Sequence, residues 1–296
     1  MTRNKDDFIM LPTVDFCFKE LMQNPKVRKG FVAALLGILP EEIRETKLLP
    51  TILRQEAEQD KLGILDVRIL LENGTQLDME MQVAYFEYWD NRILFYLGKM
   101  YTDQIHKGEP YSKLQKCIHV SILDFIHFKD DMECYRKIHF RDDKTGDIYT
   151  DLFELQILEL QKLPPEVKKG EDVIEWMRFF SGKTREEFEH MAKTNEYLDE
   201  AYNMLKEISA DEMKRMEYEA REKALKDYNT QMLCAENRGI EQGIEQINTL
   251  NRLLAEQNRT EDIIKASEDT KYQEKLLKEY NLYVKNDGIR EQEKQI

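Results

Sequence analysis

The chain has 296 residues, 41% of them hydrophobic, and a formal net charge of -14. This size and composition predict a globular protein with one large domain, or with a core domain and an appendage, and they exclude the fibrous and disordered classes. The acidic balance argues against a protein that wraps nucleic acid by bulk electrostatics, because phosphates are bound mainly by Lys and Arg.

The charge is distributed unevenly along the chain. Residues 1–130 hold 17 Lys and Arg against 20 Asp and Glu, a net of -3, so the remaining 166 residues carry -11. Any nucleic-acid surface is therefore expected in the first half of the chain.

No segment of the sequence is typical of a membrane or secreted protein. No run of eighteen apolar residues occurs, and the N-terminal MTRNKDDFIM lacks the apolar stretch of a signal peptide. The four cysteines are widely separated, form no Cys-x-x-Cys pair and have no neighbouring histidines at zinc-finger spacing, so buried reduced thiols are the better interpretation. We expect a cytoplasmic protein with reduced thiols, no membrane association and no zinc.

The first half of the chain predicts a hairpin between helical segments. Residues 13–39 have helical apolar spacing and predict two short helices, or one helix broken near Asn24-Pro25. Residues 62–71 and 76–83 are short apolar or alternating segments separated by Glu72-Asn73-Gly74-Thr75, which indicates a β-hairpin. Residues 89–107 return to helical spacing, and Gly108 ends that helix.

The second half of the chain changes from strands to helices. The segments CIHVSILDFIHF and DLFELQILELQKLP predict two further strands, and helical patterns begin at about residue 171. The sequence thus predicts an α/β fold in which a mixed sheet of about four or five strands is flanked by helices. We divide the chain into a core at 1–170, a helical region with a long charged helix at 171–247, and a small helical unit at 248–296.

The hairpin contains the side chains of greatest chemical interest. In QLDMEMQV the polar residues Gln76, Asp78, Glu80 and Gln82 share one face, which by itself is typical of a half-exposed strand with a solvated face. Asp66, however, interrupts the apolar stretch ILDVRILL, where an unpaired carboxylate is costly to bury. A metal ion is one partner that would compensate for this cost.

The register of the hairpin decides whether two carboxylates meet. A two-residue turn at Asn73-Gly74 places Asp66 opposite Met81, on the other face from Glu80. A three-residue loop, Glu72-Asn73-Gly74, places Asp66 opposite Glu80 and Arg68 opposite Asp78, which would form a cross-strand ion pair. Gly74 stands where this second loop needs a left-handed residue. In that register both carboxylates could bind one Mg²⁺.

These residues resemble the PD-(D/E)XK nuclease signature, and more closely the chain resembles the Rpn family of recombination-promoting nucleases and transposases. The resemblance covers roughly residues 13–245. The motifs that carry it are, in chain order, Asp15-x-x-Phe18-Lys19, Lys61-x-x-x-Leu65-Asp66, Glu80-x-Gln82, Arg92 with Tyr96 and Tyr101, Gln104, Gly108, Tyr111, ELQKLP, Trp176, and Gly239 with Gly243.

The resemblance implies a restriction-endonuclease-like core and a metal-dependent DNA endonuclease linked to recombination or mobile DNA. It implies that Asp66 and Glu80 hold Mg²⁺, or another divalent ion such as Mn²⁺ or Ca²⁺, with the backbone carbonyl of Met81 as a third ligand. Gln82 stands where the superfamily has a catalytic lysine, and a neutral amide orients groups without supplying positive charge. If two copies pair as a homodimer, each could cut one strand of DNA.

Several further residues have two interpretations each. Asp15 is either an acidic group that faces the metal from outside its direct ligands or a helix N-terminal residue favoured by the helix dipole. Lys19, Arg92 and Lys99 either contact DNA phosphates or are solvated helix residues, and for each one alone the second interpretation is the simpler.

Two other functions are compatible with the sequence. The chain could be a catalytically weak or inactive nuclease-fold protein that acts as a binding or assembly module, which the acidic surface and Gln82 favour and the pair Asp66 and Glu80 opposes. A nuclease acting on RNA is the third interpretation.

Overall fold

The computed structural model describes residues 8–53, 63–85, 87–166, 170 and 172–282. Within these residues six strands form one sheet with the order β1-β2-β3-β4-β6-β5. The strands are β1 (Thr46–Leu49), β2 (Val67–Leu71), β3 (Gln76–Gln82), β4 (Cys117–Leu123), β5 (Tyr135–Arg141) and β6 (Ile148–Glu159). The predicted mixed sheet is confirmed, with one strand more than the upper end of the expected range.

The two edge strands, β1 and β5, lie outside the four segments that the sequence predicts as strands, and β5 is the longer of the two. Its burial pattern mixes half-buried and exposed positions because only one neighbour, β6, pairs with it. An edge strand of this kind lacks the apolar run by which a central strand is detected from sequence.

Helices flank the sheet, and further helices follow it in the chain. They are α1 (Asp15–Gln23), α2 (Pro25–Leu36), α3 (Trp89–Thr102), α4 (Asp172–Ser181), α5 (Arg185–Ala192), α6 (Glu196–Ala210), α7 (Glu212–Glu256), α8 (Thr260–Glu268) and α9 (Thr270–Glu279). The predicted break at Asn24-Pro25 is confirmed: the Asn24 side chain accepts hydrogen bonds from the amides of Lys26 and Val27, and Pro25 begins α2.

The centre of the sheet is parallel and its two margins are antiparallel. β3 pairs in parallel with β4, and β4 pairs in parallel with β6, whereas β1, β2 and β3 form antiparallel neighbours. Every residue of β4 is buried, as expected for a strand covered on both faces. On β3, Gln76, Asp78 and Glu80 are buried and Gln82 is partly buried, so the solvated-face interpretation of QLDMEMQV is wrong.

The two faces of the sheet have different helical covers. One face, which includes Met79 and Val120, belongs to a large hydrophobic cluster with α1, α2, α4, α5 and α6. The other face is covered by α3, whose Ile93 packs with Leu123, and whose Leu97 packs with Cys117. The even-numbered side chains of β3 lie on this second face.

The chain separates into two compact units, Met1–Ala224 and Leu225–Ile296. In the first unit, buried residues of α4, α5 and α6 join the same cluster as those of α1 and α2. The second has its own small cluster around Leu250, Leu254 and Leu276. The division of the chain at residues 170 and 247 stays a prediction. No helix in the described part of the chain is both long and apolar enough to cross a membrane.

Candidate active site

The β2–β3 hairpin adopts the three-residue loop. Val67 pairs with Met79 and Arg68 with Asp78, and the Leu71 amide donates to the Thr75 carbonyl at 2.9 Å. Gly74 closes the loop with a φ of 85°, a left-handed conformation that a residue with a side chain adopts only with strain. Of the two registers open from sequence, that of the three-residue loop is confirmed, and its ladder begins at the Val67–Met79 pair, one residue after Asp66 and one residue before Glu80.

Asp66 lies at a bend immediately before β2. The bend reverses the alternation of the chain, because Leu65 packs in the cluster under α3 while Val67 packs in the cluster on the other face. The side chain of Asp66 is 24% exposed, and its Oδ1 atom is 2.8 Å from the Nζ atom of Lys19 on α1. The bend thus places a carboxylate at the margin of the sheet, within reach of both α1 and solvent.

Lys19 connects Asp66 to the predicted Asp15. The Nζ atom of Lys19 is 3.5 Å from Asp15 Oδ2, which is also 3.5 Å from Arg221 Nη1. Burial of Lys19 opposes its charge, but the Asp66 and Asp15 carboxylates hold the Lys19 pKa above its usual value. Lys19 therefore remains charged beside Asp66.

Glu80 is a buried carboxylate that contacts one charged side chain, that of Arg92. The residue is 2% exposed; its Oε2 atom accepts a hydrogen bond from Arg92 Nη2 on α3 at 3.1 Å. Its Oε1 atom is buried and has no hydrogen-bond partner among the described residues. Burial, followed by the nearby Asp78 charge, raises the pKa of Glu80 to about 7, although His119 and Arg92 oppose the shift.

A second buried carboxylate, Asp78, has a partner that the sequence did not reveal. Its Oδ2 atom is 2.7 Å from His119 Nδ1, and Nε2 of the same ring is 2.7 Å from Ser121 Oγ. The predicted Arg68–Asp78 ion pair is wrong, because Arg68 donates instead to Gln76 Oε1 at 2.8 Å. Parallel pairing sets His119 on β4 beside Asp78, just as antiparallel pairing sets Arg68 on β2 beside it, and the His119 ring makes the contact.

A sequence signal for this arrangement does exist. Asp78 and Glu80 are two residues apart, as are His119 and Ser121, and each spacing puts both side chains on one face of a strand. What the sequence lacks is the pairing between the two strands, which are separated by α3. His119 is fully buried, and burial lowers its pKa to about 4, so the ring is neutral near pH 7.

The remaining predicted residues surround this centre at different distances. Gln82 donates from Nε2 to the Ala84 carbonyl at 3.0 Å, and the Met81 side chain is buried on the opposite face. Lys99 follows Arg92 by seven residues on α3, about 10 Å along the helix axis. Lys61, part of the motif that precedes Asp66, lies outside the described residues.

Asp66 and Glu80 are the predicted carboxylate donors for a divalent ion. Within the described ranges, no group of three or more His, Cys, Asp or Glu residues could hold a metal ion. A centre here would therefore rely on two carboxylates together with backbone and water oxygens, the ligands that Mg²⁺ accepts. The unpartnered Oε1 atom of Glu80 is the observation that fits such an ion.

The comparison with protein families bears on this site directly. The family model described as PD-(D/E)XK nuclease family transposase matches residues 12–235. The chain belongs to this family. Membership confirms the resemblance seen in the sequence and supports a nuclease-like or transposase-related function for the PD-(D/E)XK protein. Neither the curated proteins nor the solved structures contained a match.

Family membership extends over the whole candidate site. The matched range includes Asp66, Glu80 and Gln82, as well as Lys19 and Arg92. PD-(D/E)XK nucleases generally use divalent metals, which agrees with the chemistry of the two carboxylates. The individual roles of these residues remain predictions.

Proposed function

We propose that this PD-(D/E)XK protein is a metal-dependent endonuclease that hydrolyses phosphodiester bonds in DNA. The observation that carries the proposal is Glu80, a carboxylate that is 2% exposed and has one oxygen without a hydrogen-bond partner among the described residues, on the strand that pairs with β2 directly after Asp66. An arrangement that keeps a charge-bearing group in so costly a position is typical of functional sites.

The roles within the site follow from the donors present. Asp66, Glu80 and the backbone carbonyl of Met81 would hold Mg²⁺, Mn²⁺ or Ca²⁺, and a bound ion would activate water and stabilise charge on the scissile phosphate. Lys19 contacts Asp66 and would bind a phosphate oxygen. Gln82 would orient a water molecule or phosphate oxygen through its amide.

Three further parts of the proposal concern partners and biology. DNA is the substrate, and two copies of the chain pair so that each cuts one strand. The reaction serves recombination or mobile DNA, as the transposase description of the family suggests.

One set of contacts favours a second candidate, a non-catalytic binding or assembly module. Asp66 already contacts Lys19, Glu80 contacts Arg92, and the amide of Gln82 donates to Ala84. A site whose carboxylates are neutralised by two cations is stable without an ion. The two candidates differ in whether divalent ions displace these contacts.

Cleavage of supercoiled plasmid separates the two candidates. Purified full-length protein is incubated with Mg²⁺ or Mn²⁺ and with EDTA, alongside Asp66→Asn, Glu80→Gln and, as a matched control, Glu72→Gln. Glu72 is an exposed carboxylate in the same hairpin loop. We expect the wild type and Glu72→Gln to cleave with metal, and the two site variants to lose about 100-fold or more in rate.

The contrary results are equally defined. A folded wild type that leaves plasmid intact with every divalent ion supports the binding module. Cleavage by both folded site variants at the wild-type rate places catalysis elsewhere in the chain. Single-stranded RNA tested in parallel decides between DNA and RNA as the substrate.

A further inference from the structure

A buried chain of three polar side chains lies next to Glu80, under α3. Asp78, His119 and Ser121 are each at most 1% exposed. His119 links the other two, with 2.7 Å between Nδ1 and Asp78 Oδ2 and 2.7 Å between Nε2 and Ser121 Oγ. The parallel register sets Ser121 beside Glu80, just as it sets His119 beside Asp78.

Asp78 uses only one of its two carboxylate oxygens in this chain. Its Oδ1 atom is buried and has no hydrogen-bond partner within the part of the protein that the structure describes. The Oε1 atom of Glu80 is in the same condition. Both side chains project from the same face of β3, two residues apart, or about 6.6 Å along the strand.

Two free carboxylate oxygens at neighbouring positions need a common explanation. Buried polar atoms are satisfied by protein groups, by water or by an ion, and an exception calls for a functional account. His119 cannot serve Oδ1 of Asp78, because both of its ring nitrogens are already engaged. The ring instead fixes the orientation of Asp78 and leaves Oδ1 free to accept a hydrogen bond.

Asp78 is not suited to bind an ion directly together with Asp66 and Glu80, because no such three-residue group exists among the described residues. A water molecule bound to an ion at Glu80 would extend the reach of the ion by one hydrogen bond, about 2.8 Å. A carboxylate with one free oxygen is an acceptor suited to such a water molecule.

We propose that Asp78 is a positioning residue for the divalent ion that Asp66 and Glu80 bind. The Oδ1 atom of Asp78 accepts a hydrogen bond from a water molecule on that ion. His119 and Ser121 fix the orientation of the Asp78 side chain. The proposal rests on the proposed function, whose metal site it deepens. Outer hydrogen bonds of this kind tune metal centres, and removing one usually weakens metal affinity about 10- to 100-fold.

The test is Mn²⁺ binding to the full-length protein without DNA, measured by isothermal titration calorimetry. Asp78→Asn is the decisive variant, because its carbonyl oxygen can keep the His119 contact while its NH₂ group places a donor at the Oδ1 position. We expect Asp78→Asn to weaken Mn²⁺ binding about tenfold or more, Glu80→Gln to weaken it further, and the control Glu72→Gln to leave it unchanged.

A pair of His119 variants tests the orienting role. Asn at this position retains a donor near the place of Nδ1, whereas Leu retains none, so His119→Asn should bind Mn²⁺ more tightly than His119→Leu. A role in packing alone predicts no such rescue. Circular dichroism and thermal unfolding establish that each variant is folded before its binding is compared.

The outcomes separate this proposal from the proposed function. In one outcome, folded Asp78→Asn and His119→Leu bind Mn²⁺ as tightly as the wild type, and Glu80→Gln does not bind it. This result overturns the role of Asp78 and is consistent with the proposed metal site. Wild-type affinity in Glu80→Gln and Asp66→Asn overturns both. Should Asp78→Asn not fold, Ser121→Ala replaces it: weaker Mn²⁺ binding supports the proposal, and an unchanged Kd overturns it.

Discussion

Glu80 should reduce the stability of the metal-free protein at neutral and alkaline pH. Its pKa is raised from 4.5 to about 7, chiefly because burial disfavours the charged form. A raised carboxyl pKa means that the folded state holds the proton more tightly than the unfolded state. The stability contributed by the protonated group is therefore fully present below about pH 4.5 and is lost as the pH rises through about 7.

The magnitude follows from the size of that shift. A difference of about 2.5 pKa units, at about 1.4 kcal/mol each, corresponds to about 3 kcal/mol once Glu80 is ionised. Because part of this stabilisation is already lost at pH 5, the wild type loses about 2.5 kcal/mol between pH 5 and pH 8. Gln cannot ionise, so Glu80→Gln should gain about 2.5 kcal/mol over the wild type across that interval.

Urea unfolding in EDTA at pH 5 and pH 8 measures this effect. The quantity compared is the free energy of unfolding of Glu80→Gln minus that of the wild type, at each pH. Loss of the charged contact with Arg92 affects the variant, but the change in this difference with pH isolates the ionisation of Glu80. A difference that stays constant between the two pH values, or that falls as the pH rises, refutes the electrostatic account.

Three further predictions test the surroundings of the site. Lys19→Met should lower the rate of plasmid cleavage. It should change the free energy of unfolding by less than about 1 kcal/mol, because the contacts of Lys19 with Asp66 and Asp15 are partly exposed. A larger loss of stability in urea unfolding would contradict this. Gly74→Ala should destabilise the protein by about 1–3 kcal/mol in the same assay, because φ is 85° and the new Cβ would lie 2.8 Å from Gln115 Cγ. The matched Gly98→Ala in α3, where a Cβ meets nothing within 4 Å, should instead stabilise it by about 0.5–1 kcal/mol, and equal effects at the two glycines would refute the conformational argument.

The fold was largely predictable because its central elements have strong local signals. The hairpin loop carries its own register information in Gly74, and the break at Asn24-Pro25 has a capping residue followed by proline. β4 appears in the sequence as an apolar and β-branched run. The edge strand β5 lacks such a run and was not predicted.

The candidate site was predictable only where its residues belong to one hairpin. Asp66 and Glu80 are linked by a loop whose geometry can be worked out from three residues. The Asp78–His119 contact depends on parallel pairing across the intervening helix, which no local pattern encodes. The same long-range packing gives Arg92 its place at Glu80, although its position in α3 was expected.

The long-range contacts of β3 determine how far the carboxylates of the site are buried, and therefore how much they cost the stability of the fold. A hairpin at the margin of a sheet would leave Asp78 and Glu80 solvated, at little cost to the stability of the fold. Here β4 and α3 cover β3, so Asp78 and Glu80 are buried and each keeps one oxygen without a partner among the described residues. A ligand that supplies positive charge to such oxygens stabilises the folded state in proportion to the logarithm of its concentration. The same burial that destabilises the metal-free protein would therefore couple ion binding at Glu80 to folding.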